Sequence, residues 1–199
     1  MIEAIDLTKR YSDGTLALDA LNLHVREGEI YCLLGAKGAG KTTALDLFLG
    51  FTPPTAGRAR IDGIDVAERP MAAKSRVAFA SDSVAFYRRL SPVQNVAFFA
   101  GLGAIQAPSR HDCEMALREV GLPENTFHAR VAALDPGSVR KLALAVVLLK
   151  NVPALVLDEP LSGLDPQAAA ELVETLSELR DRGRAILITM QDLYWARHL

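Results

Sequence analysis

The spacing of hydrophobic residues predicts short strands in the first half of this 199-residue chain. Apolar or alternating runs bounded by turn residues predict strands at residues 2–7, 17–25, 29–34, 58–62 and 76–80. The turn Ser12-Asp13-Gly14 separates the first two runs, which we therefore expect to form an antiparallel hairpin. A glycine-rich turn follows the third run, and the segment 43–49 after it has helical character.

Helical spacing replaces this pattern between residues 91 and 151. Four residues recur at positions i, i+3, i+4 and i+7 and share one helix face: Cys113, Ala116, Leu117 and Val120. The segment 138–151 is apolar nearly all round, which predicts a buried helix. Strands at 154–157 and 184–189 then flank an amphipathic helix, an order typical of parallel sheets with crossover helices. The predicted fold is α/β, with a mostly parallel sheet, an N-terminal antiparallel β portion and an inserted helical subdomain.

Composition excludes several classes of protein. The chain has 22 lysines and arginines against 24 acids, and this net charge of −2 gives no electrostatic basis for binding nucleic acid. Half of the residues are hydrophobic, which excludes a disordered chain. Two cysteines without a CxxC pair favour a reduced, intracellular setting. The longest apolar run, residues 142–149, is far shorter than the roughly 20 residues of a membrane span, so we expect any membrane link to need another chain.

The glycine-rich turn carries the clearest chemistry. The segment Gly35-Ala36-Lys37-Gly38-Ala39-Gly40-Lys41-Thr42 fits the phosphate-loop pattern GxxxxGK[ST], in which backbone N–H groups turn inward around phosphate oxygens. Lys41 is expected to reach the β- and γ-phosphates and Thr42 to offer its hydroxyl to Mg²⁺. The helix that follows, with Thr43 in its first turn, directs its positive end at the same anion. A chance glycine-rich turn is the alternative, and the flanking strand and helix argue against it.

Two carboxylates end a buried strand further along the chain. Asp158 and Glu159 follow Leu155-Val156-Leu157, at the strand end where α/β sheets present ligands. Asp158 suits Mg²⁺, which takes oxygen ligands, and Glu159 is the candidate catalytic residue, able to orient or deprotonate a water for attack on the γ-phosphate. Two acids that merely end a strand are the alternative. ATP and Mg²⁺ are therefore the predicted cofactors.

These motifs together resemble the nucleotide-binding subunit of an ATP-binding cassette (ABC) transporter, over nearly the whole chain. The segment 161–166, Leu-Ser-Gly-Leu-Asp-Pro, directly after Glu159, resembles the D-loop of that family. The resemblance implies that Tyr11 stacks on adenine, although an ordinary half-buried strand tyrosine is the alternative. It also implies a single P-loop ATPase domain, with residues 1–82 and 152–199 as the ATPase core and 83–151 as the helical subdomain.

The resemblance further implies how such a chain works. Two ATP-binding subunits sandwich two ATP molecules, and a signature loop from the opposite subunit completes each site. Closure of this pair drives a separate transmembrane subunit, which is expected to dock near residues 82–89. The second cassette chain is either a copy or a different subunit, and the location is the cytoplasmic face of the membrane.

Three family motifs are altered in this sequence. The family's glutamine at the first subdomain junction corresponds to Asp82, a possible Mg²⁺ ligand or a solvated loop acid. The signature LSGGQ corresponds to residues 134–138, where Asp135-Pro136 reads as a helix N-cap followed by proline, which has no N–H to donate. The switch histidine corresponds to Gln191, which can donate a hydrogen bond but takes no proton near neutral pH.

Two main hypotheses follow from the combination of retained site residues and altered motifs. In the first, the chain is the ATP-binding subunit of an ABC transporter and an ATPase with weakened hydrolysis, because Lys41, Thr42, Asp158 and Glu159 are present. In the second, it is a non-hydrolysing regulatory module that assembles with an intact cassette subunit, because three motifs are altered. A soluble P-loop kinase leaves the D-loop unexplained, and a DNA-repair cassette needs long insertions that this sequence lacks.

Overall fold

The computed structural model describes residues 1–81, 85–102 and 106–199. In chain order, the strands are β1 Ile2–Arg10, β2 Leu16–Val25, β3 Glu29–Leu34, β4 Ala56–Ile61, β5 Ile64–Asp65, β6 Val77–Ala80, β7 Ala154–Asp158 and β8 Ala185–Met190. The α-helices are α1 Lys41–Phe48, α2 Pro70–Lys74, α3 Pro92–Gly101, α4 Arg110–Glu119, α5 Pro136–Leu149, α6 Pro166–Asp181 and α7 Leu193–Ala196. Short 3₁₀ helices lie at Glu124–Thr126 and Val131–Ala133.

The chain divides into two compact units. The first unit is Met1–Phe79, Val152–Glu159 and Ser177–Leu199, and the second is Ala80–Asn151 and Pro160–Leu176. The division of roles expected from the sequence, with a core at 1–82 and 152–199 and a helical subdomain at 83–151, stays a prediction. Among the described residues, no helix combines the length and the hydrophobicity that crossing a bilayer requires.

Two four-stranded sheets build the first unit. The antiparallel sheet has the order β2-β1-β4-β5, and the second sheet has the order β3-β8-β7-β6, with β3, β8 and β7 paired in parallel. Helix α1 lies between them, contacting β2 and β4 on one side and β7 on the other. Its buried residues Leu45, Leu47 and Phe48 join side chains of both sheets in one core. This core fixes the start of α1 against the parallel sheet.

The two central strands of the parallel sheet, β7 and β8, are almost entirely buried. All six residues of β8 are buried, as are the first four of β7, which is the pattern of strands covered on both faces. Parallel register sets Leu34 opposite Met190 and Thr189 opposite Asp158. The carboxyl ends of β3, β8 and β7 therefore meet at one edge, where α/β folds hold their ligands.

Helices form the second unit, and local capping explains where they begin. Ser91 before α3 and Ser109 before α4 each form a capping box with the residue three positions on. Asn95 in α3 is fully buried and bonds to Ser91 and to both backbone groups of Tyr87. Helix α5 packs against α3 and α4, with no exposed residue between positions 137 and 149.

The predicted fold is confirmed, with shifts at the element ends. The expected hairpin is the β1–β2 pair, and the parallel sheet and the buried helix α5 are present. Helix α1 begins at Lys41, two residues before the predicted start, because a glycine serves as its N-cap. Strand β5 and helix α2 were not predicted, since five residues or fewer give too little periodicity to recognise.

Candidate functional site

The phosphate loop runs from the end of β3 to the start of α1. The Gly35 N–H donates to the Met190 carbonyl over 3.2 Å, which ties the loop's first residue to β8. Gly40, the N-cap of α1, has φ +86°, and a Cβ there would lie 2.3 Å from the Ala17 carbonyl oxygen. Glycine is therefore required at this position. Because glycine has no capping side chain, the first N–H groups of α1 receive no cap from residue 40 and suit an anion.

The ammonium of Lys41 lies within this loop. Its Nζ donates to the carbonyl oxygens of Gly35 at 2.5 Å and Ala36 at 3.3 Å, and lies 3.2 Å from Oε1 of Glu159. The Lys41 side chain is 10% exposed and that of Glu159 is 17% exposed. A largely buried ammonium with oxygen partners on several sides occupies a position where phosphate oxygens are natural further partners. Lys37, by contrast, is exposed.

Asp158 ends β7 beside β8. Its Oδ1 accepts a hydrogen bond of 2.5 Å from the hydroxyl of Thr189, a fully buried residue opposite it in the register. Glu159 follows with φ +47°, in the left-handed region that residues other than glycine rarely adopt. The Glu159 N–H donates to Thr189 Oγ1 at 3.0 Å and lies 3.2 Å from the Thr189 carbonyl oxygen. The two predicted acids are thus held by one neighbouring strand.

Gln191 reaches Glu159 from the end of β8. Its Nε2 donates to Glu159 Oε1 over 3.1 Å, so that oxygen has both an amide and an ammonium as partners. The residue predicted to replace a switch histidine therefore contacts the predicted catalytic carboxylate.

Tyr11 contacts the helix that follows the phosphate loop. Its hydroxyl lies 3.3 Å from the Thr43 hydroxyl, and the residue as a whole is 38% exposed. The ammonium of Lys9 lies 5.2 Å from the ring centroid. The structure therefore brings an accessible aromatic ring to the loop, as stacking on a base requires.

Three residues at this site were missed by sequence reasoning. The sequence pattern predicts only that Thr189 lies in a strand, although a hydroxyl at the end of an otherwise apolar strand can indicate a site residue. Cys32 in β3 lies near Lys41 and Glu159, and burial together with the Glu159 charge raises the pKa of its thiol. Asp46 in α1 has a pKa raised by burial and by the negative charge of Asp158. Its helix position gave no signal, because an acid four residues after Thr42 is common on helix surfaces.

The donors predicted for Mg²⁺ have suitable chemistry. The Thr42 hydroxyl and the Asp158 carboxylate are both oxygen donors, and Thr189 bonds only one oxygen of that carboxylate. Mg²⁺ is commonly held by one or two protein oxygens, with water and phosphate oxygens completing the shell. Within the described part of the chain no group of three or more His, Cys, Asp or Glu side chains is arranged to hold a metal. The predicted ligand Asp82 lies outside the described residues.

The segment predicted to correspond to the family's signature lies at the start of α5, in the second unit. Asp135 is the N-cap: its Oδ1 accepts from the Ser138 N–H at 2.8 Å and its Oδ2 accepts from the Ser138 hydroxyl at 2.6 Å. The hydrogen bond from the Ser138 hydroxyl, and to a smaller extent the one from the Ser138 N–H, lower the pKa of Asp135 below its ordinary value of 3.8. Pro136 occupies the first helical position. The prediction of an N-cap followed by proline is confirmed, and the N-terminus of α5 is capped by Asp135 of the same chain.

Comparison with known proteins assigns the family. The profile described as "ABC transporter" matches residues 18–162, and a smaller match to an "AAA domain, putative AbiEii toxin, Type IV TA system" covers 137–189. The chain is 38% identical over 198 residues to the Nod factor export ATP-binding protein I of Burkholderia thailandensis, covering 100% of this chain and 65% of that protein. It is 33% identical over 190 residues to the probable multidrug ABC transporter ATP-binding protein YbhF of Escherichia coli, covering 95% of this chain and 32% of that protein.

Solved structures give the same assignment. A dimeric bacterial ABC transporter cassette matches with a TM-score of 0.88 at 25% identity, covering 100% of this chain and 91% of that one. The cbiO1 protein of Clostridium perfringens, described as part of the ABC transporter complex cbiONQ, matches with a TM-score of 0.84 at 28% identity, covering 96% and 78%. The chain thus spans less than two thirds of the Nod factor export relative and most of each cassette. It is an ABC-type ATP-binding domain and belongs to the ABC transporter family.

Proposed function

We propose that this chain binds Mg²⁺-ATP at the loop of residues 35–43 and couples nucleotide-driven pairing of two cassettes to a separate transmembrane subunit. The observation that carries the proposal is the position of Lys41 Nζ, between the loop carbonyls and Glu159. Phosphate oxygens replace those partners as ATP enters. The backbone N–H groups of the loop then surround the phosphates, and Tyr11 stacks on adenine.

The cation site in this proposal consists of Thr42 and Asp158. Mg²⁺ held there would neutralise part of the negative charge of the phosphates. Asp158 is held in place for this by its bond to Thr189. Glu159, whose carboxylate lies beside Lys41, orients the attacking water or accepts its proton. The relatives are described as export and multidrug proteins, which supports export rather than import.

Hydrolysis is weakened in this proposal. Asp135 and Pro136 occupy the positions of the signature that would donate to the γ-phosphate of a facing subunit, and Asp135 already uses its oxygens on Ser138. Loss of one such donor typically slows a reaction by about 10²–10³. The damage falls on the site of the facing subunit, so a pair of identical chains loses both sites. A different, intact cassette subunit opposite this chain leaves its own ATP with a functional signature.

A second candidate function is a non-hydrolysing regulatory module. The Gln191 contact favours it, because an amide at this position holds Glu159 without supplying a proton. In that case ATP closes the pair and no turnover follows.

Calorimetry and turnover assays test these proposals in order. We expect the purified chain to bind ATP with Mg²⁺, and Lys41→Ala to lose this binding, while the exposed Lys150→Ala, which removes the same charge from the second unit, keeps it. Slow turnover that disappears in Glu159→Gln supports the weakened ATPase. Equal background rates in both proteins support the regulatory module instead. The absence of any ATP binding contradicts both.

The signature is tested by restoring it. Asp135→Ser together with Pro136→Gly removes the carboxylate, returns a serine to the signature and restores a backbone N–H at the first position of α5. We expect turnover to rise in the restored chain and in a mixture of restored and wild-type chains. Unchanged turnover would mean that the signature segment does not limit hydrolysis.

A further inference from the structure

A fully buried hydroxyl joins the two acids of the nucleotide site. Thr189 lies opposite Asp158 in the β7–β8 register and has no exposed surface. Its Oγ1 donates to Asp158 Oδ1 at 2.5 Å and accepts from the Glu159 N–H at 3.0 Å. The Thr189 hydroxyl therefore donates its proton to the Asp158 carboxylate and accepts a hydrogen bond from the backbone of Glu159.

We propose that Thr189 is a positioning residue of the Mg²⁺-ATP site, which turns the Asp158 carboxylate toward the cation. This inference rests on the proposed function. Thr189 Oγ1 bonds only Oδ1 of Asp158, so the second oxygen of the carboxylate keeps its capacity for the cation. Residues that orient a metal ligand in this way commonly change metal affinity by about 10–100-fold when they are lost.

The surroundings of Thr189 make the hydroxyl direction well defined. Threonine is branched at Cβ and has few χ1 rotamers, and every residue of β8 is buried. The proton of Oγ1 points to Asp158 because the Glu159 N–H occupies the accepting side. Hydroxyl, carboxylate and backbone thus form a chain of hydrogen bonds with a single direction.

The effect on the two acids is unequal. The Glu159 N–H also lies 3.2 Å from the Thr189 carbonyl oxygen, which remains in any substitution of the side chain. That second acceptor helps to keep Glu159 at φ +47°. The Asp158 oxygen loses its Thr189 donor when the hydroxyl is removed. Removal of the hydroxyl therefore weakens the cation site before it disturbs Glu159.

The test compares Thr189→Val, which keeps the shape and removes the hydroxyl, with Thr189→Ser, which keeps the hydroxyl. Equilibrium dialysis measures the affinity of each purified chain for ATP in EDTA and for ATP with Mn²⁺ in place of Mg²⁺. In wild type we expect Mn²⁺ to strengthen ATP binding. In Thr189→Val we expect this gain to fall about 10-fold or more, with metal-free binding close to wild type. Thr189→Ser is expected to retain the gain.

Three results would overturn the inference. The first is a Thr189→Val protein with the wild-type gain from Mn²⁺. The second is an equal loss of metal-free and Mn²⁺-dependent binding, which indicates a general structural role. The third is a Thr189→Ser protein that behaves like Thr189→Val, which assigns the effect to the methyl group. If circular dichroism shows Thr189→Val to be unfolded, the smaller Thr189→Ala takes its place under the same criteria.

Failure of the proposed function gives a different result. A wild-type chain that binds no ATP in either condition contradicts nucleotide binding itself and the inference with it. A wild-type chain that binds ATP, with a Thr189→Val variant indistinguishable from it, contradicts only the role of Thr189.

Discussion

Gln191 Nε2 donates a 3.1 Å hydrogen bond to Oε1 of Glu159, and the same oxygen lies 3.2 Å from Nζ of Lys41. The carboxylate is thus held between a neutral amide and a fixed positive charge. An amide does not change its charge between pH 5 and 8, whereas a histidine does. The contact therefore orients Glu159 without making its surroundings sensitive to pH.

Gln191→His is expected to introduce such sensitivity. A histidine has an ordinary pKa of about 6.5, and its protonated ring places a second positive charge beside Glu159 and the γ-phosphate. We expect ATP affinity in the variant to rise as pH falls through this range, measured by calorimetry between about pH 5.5 and 8. The matched control Gln191→Leu removes the amide and adds no titrating group. Parallel profiles in the histidine and leucine variants would contradict this prediction.

Tyr11 is expected to contribute through its ring. Stacking of a base on an aromatic side chain is worth about 1–3 kcal/mol, so Tyr11→Ala is expected to weaken ATP binding by about 5- to 160-fold. Tyr11→Phe keeps the ring and loses only the 3.3 Å contact with the Thr43 hydroxyl, so its affinity is expected to stay near that of wild type. Calorimetric titration with ATP distinguishes the two. Equal losses in both variants would assign the effect to the hydroxyl.

Two glycines of the phosphate loop give a matched pair for stability. Both Gly38 and Gly40 have φ +86°, but a Cβ at Gly40 meets the Ala17 carbonyl oxygen at 2.3 Å, and a Cβ at Gly38 meets nothing within 4 Å. We expect Gly38→Ala to cost about 1–2 kcal/mol from its backbone conformation alone. Gly40→Ala is expected to cost clearly more, because the backbone must also move. Urea unfolding measures both, and equal losses would show that the loop adapts freely.

The cap of α5 gives a prediction for pH. The folded-state pKa of Asp135 lies below 3.8, so its stabilisation is full above the unfolded pKa and is lost as pH falls through the folded pKa. Asp135→Ala is expected to lower the free energy of unfolding by about 1 kcal/mol at neutral pH, and by progressively less as pH falls below 3.8 and through the folded pKa.

Asp135→Ser is the control for this cap. A serine still accepts the Ser138 N–H but does not titrate as an acid, so its stability difference from Asp135→Ala is expected to stay constant with pH. Denaturant unfolding at several pH values tests both variants. A cost of Asp135→Ala that does not change with pH would mean that the carboxylate charge contributes nothing.

Much of the fold followed from the sequence because its most buried elements are strongly apolar. The buried runs of β7 and β8 and the all-round apolar segment of α5 admit few other structures. Short elements such as β5 and α2 escaped prediction because the placement of β5 depends on its pairing with β4, and that of α2 on its contacts with β5.

The candidate site was likewise predictable only in part from the sequence. Sequence alone determined the residue types: a glycine loop with Lys41 and Thr42, a strand ending in Asp158 and Glu159, and a proline after the Asp135 cap. These are local properties, because turn geometry, strand ends and caps depend on neighbouring residues. Only the tertiary structure decided which side chains meet. The parallel register of β7 and β8 brings Thr189 to both acids and Gln191 to Glu159. The partners in these contacts are about 30 residues apart in the sequence, so no local pattern indicates that they meet. Register is set by the packing of the whole sheet.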